Sequence, residues 1–286
     1  MRGAEAVRGA TQTGRADDMA DTLTTERTGG ALTVNKQHMA FEMDRGVHAR
    51  AAIGLIVLAS DQTVEHEFRR IFDLPGVALY QSRIYNDPNI TPETLKAMEA
   101  GMTEAADLIV PGVRLDVVAY GCTSGAMLIG DDKVAELIHE ARPGVACTSP
   151  MKGALAALAA LGAKRVALLT PYLDGINQTM RGFLQDRGVA VPVMGSFNEP
   201  DDNKVGRISP ASIRAAALEL GRSDRVDAVF VACTALRVVE IVAELEAELG
   251  KPVTSSNHAM AWHCLRLAGI DDPQPQFGRL FTRSLV

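Results

Sequence analysis

Short apolar runs, each followed by small or polar residues, recur along the chain from about residue 51 onward. They are rich in branched aliphatic residues and too short to form helices of their own, which is typical of strands buried in a parallel sheet. The runs lie at 53–58, 77–85, 115–121 and 144–149 in the first half and at 165–170, 191–194 and 226–232 in the second. A last strand is expected from residue 253.

Helical segments separate these strands, and several of them have clear end signals. Thr91-Pro92 and Ser209-Pro210 are typical of helix starts, and Gly162 and Gly250 are typical of helix ends. Helices are predicted over 91–108 and 236–249, among others. The alternation of strand and helix predicts an α/β protein with parallel sheets and right-handed crossovers, built from two similar units.

The first 50 residues differ from the rest of the chain. They are rich in glycine, threonine, alanine and mixed charges, and their apolar residues follow neither a helical nor a strand period. We therefore expect residues 1–50 to form a disordered N-terminal extension. Its acidic residues do not suit a transit peptide.

Two of the predicted strands end in a cysteine followed by hydroxyl residues. Cys122 is followed by Thr123 and Ser124, and Cys233 is followed by Thr234. Ligands of open α/β sheets bind at the carboxyl ends of the strands, and a helix starting just after each cysteine would lower the pKa of its thiol. A single buried cysteine is more often a packing residue, but two at matching places predict a functional pair with one thiol from each half.

Other strand ends supply further candidates. Ser60 and Asp61 follow the first strand, where helix capping is the commoner use of such residues, and Tyr172 takes the matching place in the second unit. Arg83 is interpreted as a surface or ion-pair residue. Cys147 and Cys264 lie inside predicted elements and are interpreted as structural.

Composition narrows the possible functions. The chain has 286 residues, 47% of them hydrophobic, a net charge of −6 and a pI near 5.6, which argues against nucleic-acid and anionic-membrane partners. No apolar run reaches membrane-spanning length. The four cysteines have no zinc-ligand spacing and indicate a reducing cytoplasm. No histidine pair has metal-ligand spacing, and no phosphate-binding or dinucleotide-binding glycine motif occurs, so we expect no metal and no cofactor.

These motifs resemble those of a known family. The stretch 53–67, the strand carrying Arg83, and the segments 120–124, 170–172, 205–207 and 233–236 are similar to the maleate isomerase and arylmalonate decarboxylase branch of the aspartate/glutamate racemase superfamily. Residues 61–63 and 86–88 are most similar to the ectoine-utilisation proteins of that branch. The resemblance covers residues 53–270, and its cysteine motifs are the most specific part.

The resemblance implies two pseudo-symmetric α/β lobes with the active site in the cleft between them and without metal or organic cofactor. The lobes would comprise residues 51–149 with 254–286, and residues 150–253, so that the last strand and helix return to the first lobe. Cys122 would be the nucleophile, Cys233 its partner across the cleft, and Tyr172 a hydrogen-bond donor to a substrate carboxylate. We also expect a homo-oligomer.

Two positions depart from the family pattern. Asp61 and Ala235 stand where the family has asparagine. An ionised Asp61 would repel a substrate carboxylate and would favour a ligand with an ammonium or amidinium group. One hypothesis is therefore a zwitterionic substrate, with Asp61 meeting its cation and Tyr172 its carboxylate, and helix capping by Asp61 is the alternative.

The sequence thus predicts a two-cysteine isomerase or racemase of a small carboxylate. A thiol pair can exchange a proton between two faces of a carbon, and a single thiolate can add to a C=C bond and leave after rotation. Thr123, Ser124 and Thr234 are the candidate stabilisers of charge on the substrate carboxylate. The alternatives are a one-cysteine decarboxylase and a non-catalytic protein that binds an ectoine-related solute.

Overall fold

The computed structural model describes residues 24–28, 31–36 and 38–286, in two compact units, Met1–Asp44 and Arg45–Val286. In the first unit, β1 (Thr24–Thr28) pairs antiparallel with β2 (Ala31–Asn35). This hairpin departs from the expectation that residues 1–50 have no secondary structure, and both strands contain β-branched residues that favour it. The expectation for residues 1–23 falls outside the described residues.

The first four strands of the second unit form one parallel sheet. They are β3 (Ala51–Leu58), β4 (Val77–Ile84), β5 (Val117–Gly121) and β6 (Ala146–Thr148), and their order is β4-β3-β5-β6. Every residue of β3 is buried, as its continuous apolar run predicts for a central parallel strand.

The remaining four strands repeat this arrangement. They are β7 (Arg165–Thr170), β8 (Ala190–Ser196), β9 (Ala228–Val231) and β10 (Val253–Ser255), all parallel, in the order β8-β7-β9-β10. Both sheets therefore have the same topology with respect to chain order. The predicted α/β fold of two pseudo-symmetric lobes is confirmed.

Helices flank both sheets. The eleven described α-helices are α1 (Val64–Ile71), α2 (Pro92–Ala97), α3 (Met102–Asp107), α4 (Thr123–Ile129), α5 (Asp131–Ala141), α6 (Pro150–Ala160), α7 (Asp174–Gln185), α8 (Asp202–Val205), α9 (Pro210–Gly221), α10 (Val242–Leu249) and α11 (Ser256–Leu267). Short 3₁₀ turns lie at Met98–Gly101, Val239–Ile241, Pro275–Phe277 and Arg279–Thr282.

The helix predicted over 91–108 is divided into α2, a 3₁₀ turn and α3. Thr91 caps its start, because the hydroxyl of Thr91 accepts the Thr94 N–H. The interruption ends at Gly101, where a Cβ atom would lie 3.2 Å from the Ile84 side chain on β4. Glycine is a poor helix former but allows this close approach, so packing against the sheet overrides the helical pattern.

The path of the chain after residue 253 differs from the prediction in part. Strand β10 pairs with β9 and therefore belongs to the second sheet, not to the first lobe. Helix α11 then packs against α6, β5, β6 and α1. The chain crosses between the lobes at Ser255–Ser256, because the free edge of β9 accepts one more strand before the apolar helix is buried.

Gly153 sets the distance between α6 and α11. A Cβ atom at this position would lie 2.9 Å from the Met260 Cα atom and 3.0 Å from its backbone nitrogen. We expect Gly153→Ala to lower the free energy of unfolding by about 1–3 kcal/mol through this backbone clash. Gly182→Ala in α7 is the matched control: no atom lies within 4 Å of its added methyl group, so it should stabilise by up to about 1 kcal/mol. Denaturant unfolding measures both, and equal effects would contradict the steric argument.

The N-terminal extension provides a second test of the fold. A chain that begins at Val47 keeps the contacts of His48 with Tyr80 and of Arg50 with Asp272. We expect it to have the melting temperature and the activity of the full chain, because the folded core begins with β3. A melting temperature lower by several degrees would show that residues 1–46 stabilise the fold.

Candidate active site

Both cysteine-bearing strands end at the same kind of place in their sheets. In the first sheet, β4 lies on one side of β3 and β5 on the other, so the direction in which strands are added reverses between β3 and β5. In the second sheet, the same reversal occurs between β7 and β9. Ligands of α/β proteins bind at such switch points. Cys122, from the first switch point, and Tyr172 and Cys233, from the second, line one cavity at the meeting point of the two sheets' carboxyl ends.

The cavity is nearly closed. Its volume is about 20 Å³, which is room for about one water molecule. Ile90, Leu95 and Met98, from the segment between β4 and α3, form its apolar wall. This segment therefore borders the space in front of both thiols.

Cys122 is held at the N-cap of α4. Its sulfur accepts a hydrogen bond from the Gly125 N–H at 3.2 Å, and the residue is 4% exposed. A Cβ atom at Gly125 would lie 2.8 Å from this sulfur and 2.7 Å from the Tyr120 hydroxyl oxygen, so the site requires glycine there. The predicted helix start after Cys122 is therefore present.

Cys233 is held differently. The next helix, α10, begins only at Val242, so the helix predicted from residue 236 does not point at this sulfur. Instead, Cys233 has a φ of 143°, a conformation that non-glycine residues rarely adopt, and its N–H donates to Ser256 Oγ at 3.0 Å. Residues held in this way often lie at functional sites, where surrounding contacts enforce the conformation.

Burial dominates the acidity of both thiols. It raises the pKa of Cys122 to about 12, although the Gly125 N–H acts in the opposite direction, and the charge of Asp202 raises it further. Burial also raises the pKa of Cys233, with Asp202 again adding to the rise and the Tyr172 hydroxyl opposing it. The prediction of lowered thiol pKa values is therefore wrong for this closed conformation, because desolvation outweighs the helix N-terminus.

The hydroxyl residues after the cysteines connect the two lobes. Thr123 Oγ1 donates to Ser256 Oγ at 2.8 Å, and Thr234 Oγ1 donates to the Gly121 carbonyl oxygen at 3.4 Å. Thr123, Ser124 and Thr234 all line the cavity. Two of the three predicted stabilisers thus already have protein partners in this conformation.

Ser60 and Asp61 lie beside the cavity and do not line it. Asp61 Oδ1 accepts the N–H groups of Thr63 and Val64 at 2.7 and 2.8 Å, at the start of α1. The N-cap itself is Thr63, so Ser60 and Asp61 are not the N-cap residues that the sequence suggested. Asp61 Oδ2 is buried without a hydrogen-bond partner among the described residues. Burial raises the pKa of Asp61 to about 6, against the effect of the two N–H groups.

Asp202 is a cavity residue that the sequence patterns did not indicate. It lines the cavity from the second lobe, and its carboxylate accepts the hydroxyl of Ser60 from the first. Asn86 in turn binds Ser60 through two hydrogen bonds, of 2.8 and 3.0 Å. Asp202 is the first residue of the short helix α8, in a polar segment after β8. Only the correspondence of this segment to the one after β4 could have suggested a role.

A buried carboxylate holds the loop that follows Cys233. Glu67 Oε1 accepts the N–H groups of Val238 and Val239, both at 2.7 Å, and Glu67 Oε2 accepts the amide of Asn257 at 2.7 Å. The same amide donates to the Thr234 carbonyl oxygen. Burial raises the pKa of Glu67 to about 7, and these donors lower it. The fold thus ties α1 and α11 to the loop that carries the second thiol.

The remaining candidates lie away from the cavity. Cys147 is buried beside His139, and Cys264 lies inside α11. Arg83 pairs with Glu65 at 2.9 Å and donates to backbone carbonyl groups, as the ion-pair interpretation predicts. Among the described residues no group of three or more His, Cys, Asp or Glu side chains could hold a metal ion. No helix in the described ranges is long and apolar enough to cross a membrane.

Comparison with known proteins identifies the family of the chain. The profile of the arylmalonate decarboxylase family matches residues 53–281. The arylmalonate decarboxylase of Bordetella bronchiseptica is 31% identical over 238 residues, covering 81% of this chain and 97% of its own. The maleate isomerase of Nocardia farcinica is 29% identical over 241 residues, covering 81% and 95%. The chain therefore belongs to the arylmalonate decarboxylase family, whose relatives named here are enzymes of two kinds.

A solved structure of one relative is informative about chemistry. A cysteine-to-serine variant of the Nocardia farcinica maleate cis-trans isomerase, with a covalently bound succinylcysteine intermediate, superposes with a TM-score of 0.73 at 28% identity. The match covers 81% of this chain and 98% of that one. In that relative, a cysteine side chain is bonded to the four-carbon acid.

The buried Glu67 predicts a pH dependence of stability. Its pKa is raised from 4.5 to about 7 in the folded state, so the folded protein binds the proton more tightly than the unfolded chain. The stability from this group is present below pH about 4.5 and is lost as the pH rises through about 7. Relative to Glu67→Gln, the wild-type protein should lose on the order of 3 kcal/mol of unfolding free energy across this interval.

Urea unfolding of both proteins at several pH values measures this difference. Glu93→Gln, at an exposed position of α2, is the control and should show a much smaller change across the interval. A difference between wild type and Glu67→Gln that does not vary with pH would show that Glu67 keeps its ordinary acidity.

Proposed function

We propose that the chain is a cofactor-independent isomerase or racemase that acts on a small carboxylate through Cys122 and Cys233. The observation that carries the proposal is that both thiols, one from each lobe, line the same cavity. The succinylcysteine structure supports covalent chemistry at one of these positions, since a thioether to a four-carbon acid requires a cysteine nucleophile.

In the isomerase form of the proposal, the Cys122 thiolate adds to one carbon of a cis C=C bond. A C–S bond forms, and the π electron pair moves onto the neighbouring carbon and its carboxylate. Rotation about the resulting C–C single bond follows. The electron pair then re-forms the double bond in the trans geometry and expels the thiolate, so that no atom is gained or lost.

In the racemase form, the two thiols act on opposite faces of one carbon. One thiolate removes the proton next to the carboxylate, and the other thiol delivers a proton to the opposite face. The two sulfurs exchange roles in the reverse direction. In both forms, thiolate formation has to follow opening of the cavity or arrival of the substrate, because burial holds both thiols neutral in the closed conformation.

Charge develops on the substrate carboxylate in every version of the reaction. Tyr172, whose pKa burial raises well above its ordinary value, remains a neutral hydroxyl donor. Ser124 lines the same cavity, and its hydroxyl interacts with the side chains of Cys122 and Tyr172. Donors placed where charge develops are a large source of rate enhancement.

Decarboxylation of an arylmalonate is the second candidate, favoured by the family profile and by the relative at 31% identity. One thiol then protonates the enediolate that remains after loss of CO₂. The pair of cavity thiols favours the isomerase or racemase, because one thiol is enough for the decarboxylase. We further propose that the substrates include acids derived from ectoine. The protein is proposed to be cytoplasmic and to form a homo-oligomer.

Single-cysteine variants test the two-thiol mechanism. Cys122→Ala and Cys233→Ala should each abolish turnover, while the free energy of unfolding changes by no more than about 2 kcal/mol, because each removes one small buried group. Maleate-to-fumarate conversion and exchange of α-protons with D₂O can be followed by NMR, and CO₂ release from phenylmalonate by pH indicator.

Cys147→Ala and Cys264→Ala are the matched controls and should keep turnover within a few-fold. If either Cys122 or Cys233 is dispensable, the two-thiol mechanism is wrong and the one-cysteine decarboxylase becomes the better assignment. If the wild-type protein binds these acids but catalyses none of the three reactions, the chain is a binding protein.

A further inference from the structure

The charged residues of the cavity wall all have the same sign. Asp202 and Asp87 contribute carboxylates, and the other polar groups are an amide, hydroxyls and the two thiols. No lysine, arginine or histidine lines this cavity. A plain dicarboxylate would therefore enter a site that has negative charge and no side-chain cation to meet it.

Asp202 is the more buried of these two acids, at 8% exposed. Its Oδ2 accepts the Ser60 hydroxyl, and Ser60 is itself held by Asn86, so the carboxylate is positioned from the opposite lobe. In the described part of the chain Asp202 takes part in no salt bridge. Asp202 lines the same cavity as Cys122 and Cys233, and its charge raises the pKa of both thiols.

A second buried carboxylate, Asp61, also acts electrostatically on this site. Asp61 is 3% exposed, its Oδ1 is occupied by backbone N–H groups, and its Oδ2 has no partner in the described structure. The charge of Asp202 raises the pKa of Asp61, and the charge of Asp61 raises the pKa of Cys233. Two buried carboxylates without a cation are costly unless a ligand supplies one.

We propose that Asp202 recognises a cationic group of the substrate, so that the site takes a small carboxylic acid that also carries an ammonium or amidinium group. The inference rests on the proposed function, whose carboxylate-binding site it uses. Asp202, which lines the cavity, thus takes the cation-binding role that the sequence suggested for Asp61. Asp61, which does not line the cavity, adds to the negative potential at Cys233.

A purely structural role for Asp202 is the alternative. It is the first residue of α8, where an acid is favoured, and it links two lobes through Ser60. Asp202→Asn separates the two roles, because asparagine still accepts the Ser60 hydroxyl and removes only the charge. Asp201→Asn is the matched control: it makes the same charge change one residue earlier, at the N-cap, where asparagine caps about as well.

Charged thiol reagents test the proposal without knowledge of the substrate. In a Cys147→Ala/Cys264→Ala background, the cavity thiols are treated with methanethiosulfonate reagents that carry either a trimethylammonium or a sulfonate group. Each thiolate attacks the reagent's sulfenyl sulfur, forms a mixed disulfide and releases methanesulfinate. Mass spectrometry gives the rates of modification by the cationic and by the anionic reagent. The ratio of the two rates is divided by the same ratio for free 2-mercaptoethanol. Effects of thiol pKa and of cavity opening are common to both reagents and cancel in this ratio.

The wild-type ratio should favour the cationic reagent, and Asp202→Asn should lower it by at least about 5-fold, which is the effect of one charge at about 4 Å in water. Asp201→Asn should leave it within about 2-fold. An unchanged ratio in Asp202→Asn would overturn the proposal, because the carboxylate would then have no electrostatic effect on what enters the cavity.

Binding of matched acids gives the second measurement. Calorimetry should show tighter binding of 2-aminobutyrate than of butyrate and of aspartate than of succinate, and Asp202→Asn should remove this preference. Tighter binding of succinate or maleate to the wild-type protein would overturn the inference while leaving the two-thiol mechanism intact. Retained preference for ammonium ligands in a protein whose Cys122 and Cys233 are dispensable would support the inference and exclude the mechanism.

Discussion

One hydroxyl group, Ser256 Oγ, joins the two halves of the site. It accepts the Cys233 N–H at 3.0 Å and the Thr123 hydroxyl at 2.8 Å, so the loops that carry the two thiols meet at the start of α11. This start lies where the chain passes from the last strand of the second sheet to the first lobe. This crossover and this buried oxygen therefore help to set the relative position of the two thiols.

The conformation of Cys233 follows from the same constraint. Its positive φ is unfavourable for a residue with a side chain, so neighbouring contacts have to compensate. Ser256 binds its N–H, Asn257 binds the next carbonyl, and Glu67 binds the backbone a few residues further on. All these partners are buried, where hydrogen bonds are strong and an unsatisfied group is costly.

Burial has opposite consequences for specificity and for reactivity. The same exclusion of water that strengthens interactions in the cavity also raises the pKa values of Cys122 and of its carboxylate neighbours Asp61 and Asp202. Burial therefore favours the neutral form of both thiols in this conformation. A ligand that opens the wall at Ile90 and Leu95 would change the electrostatics of the site as well as its volume, so access and activation are coupled.

The sequence by itself determined the architecture and the pair of cysteines, because strand burial and strand-end position leave local patterns: apolar runs, capping residues and the repeated cysteine-threonine. Only the tertiary structure decided which side chains face the cavity. Asp61 was prominent in the sequence but binds backbone N–H groups at the start of α1, whereas Asp202, the first residue of the short helix α8, lines the cavity. Glu67, Ser256 and Asn257 likewise act across the two lobes. Contacts between residues far apart in the chain leave no local period, and desolvation depends on how the whole structure excludes water.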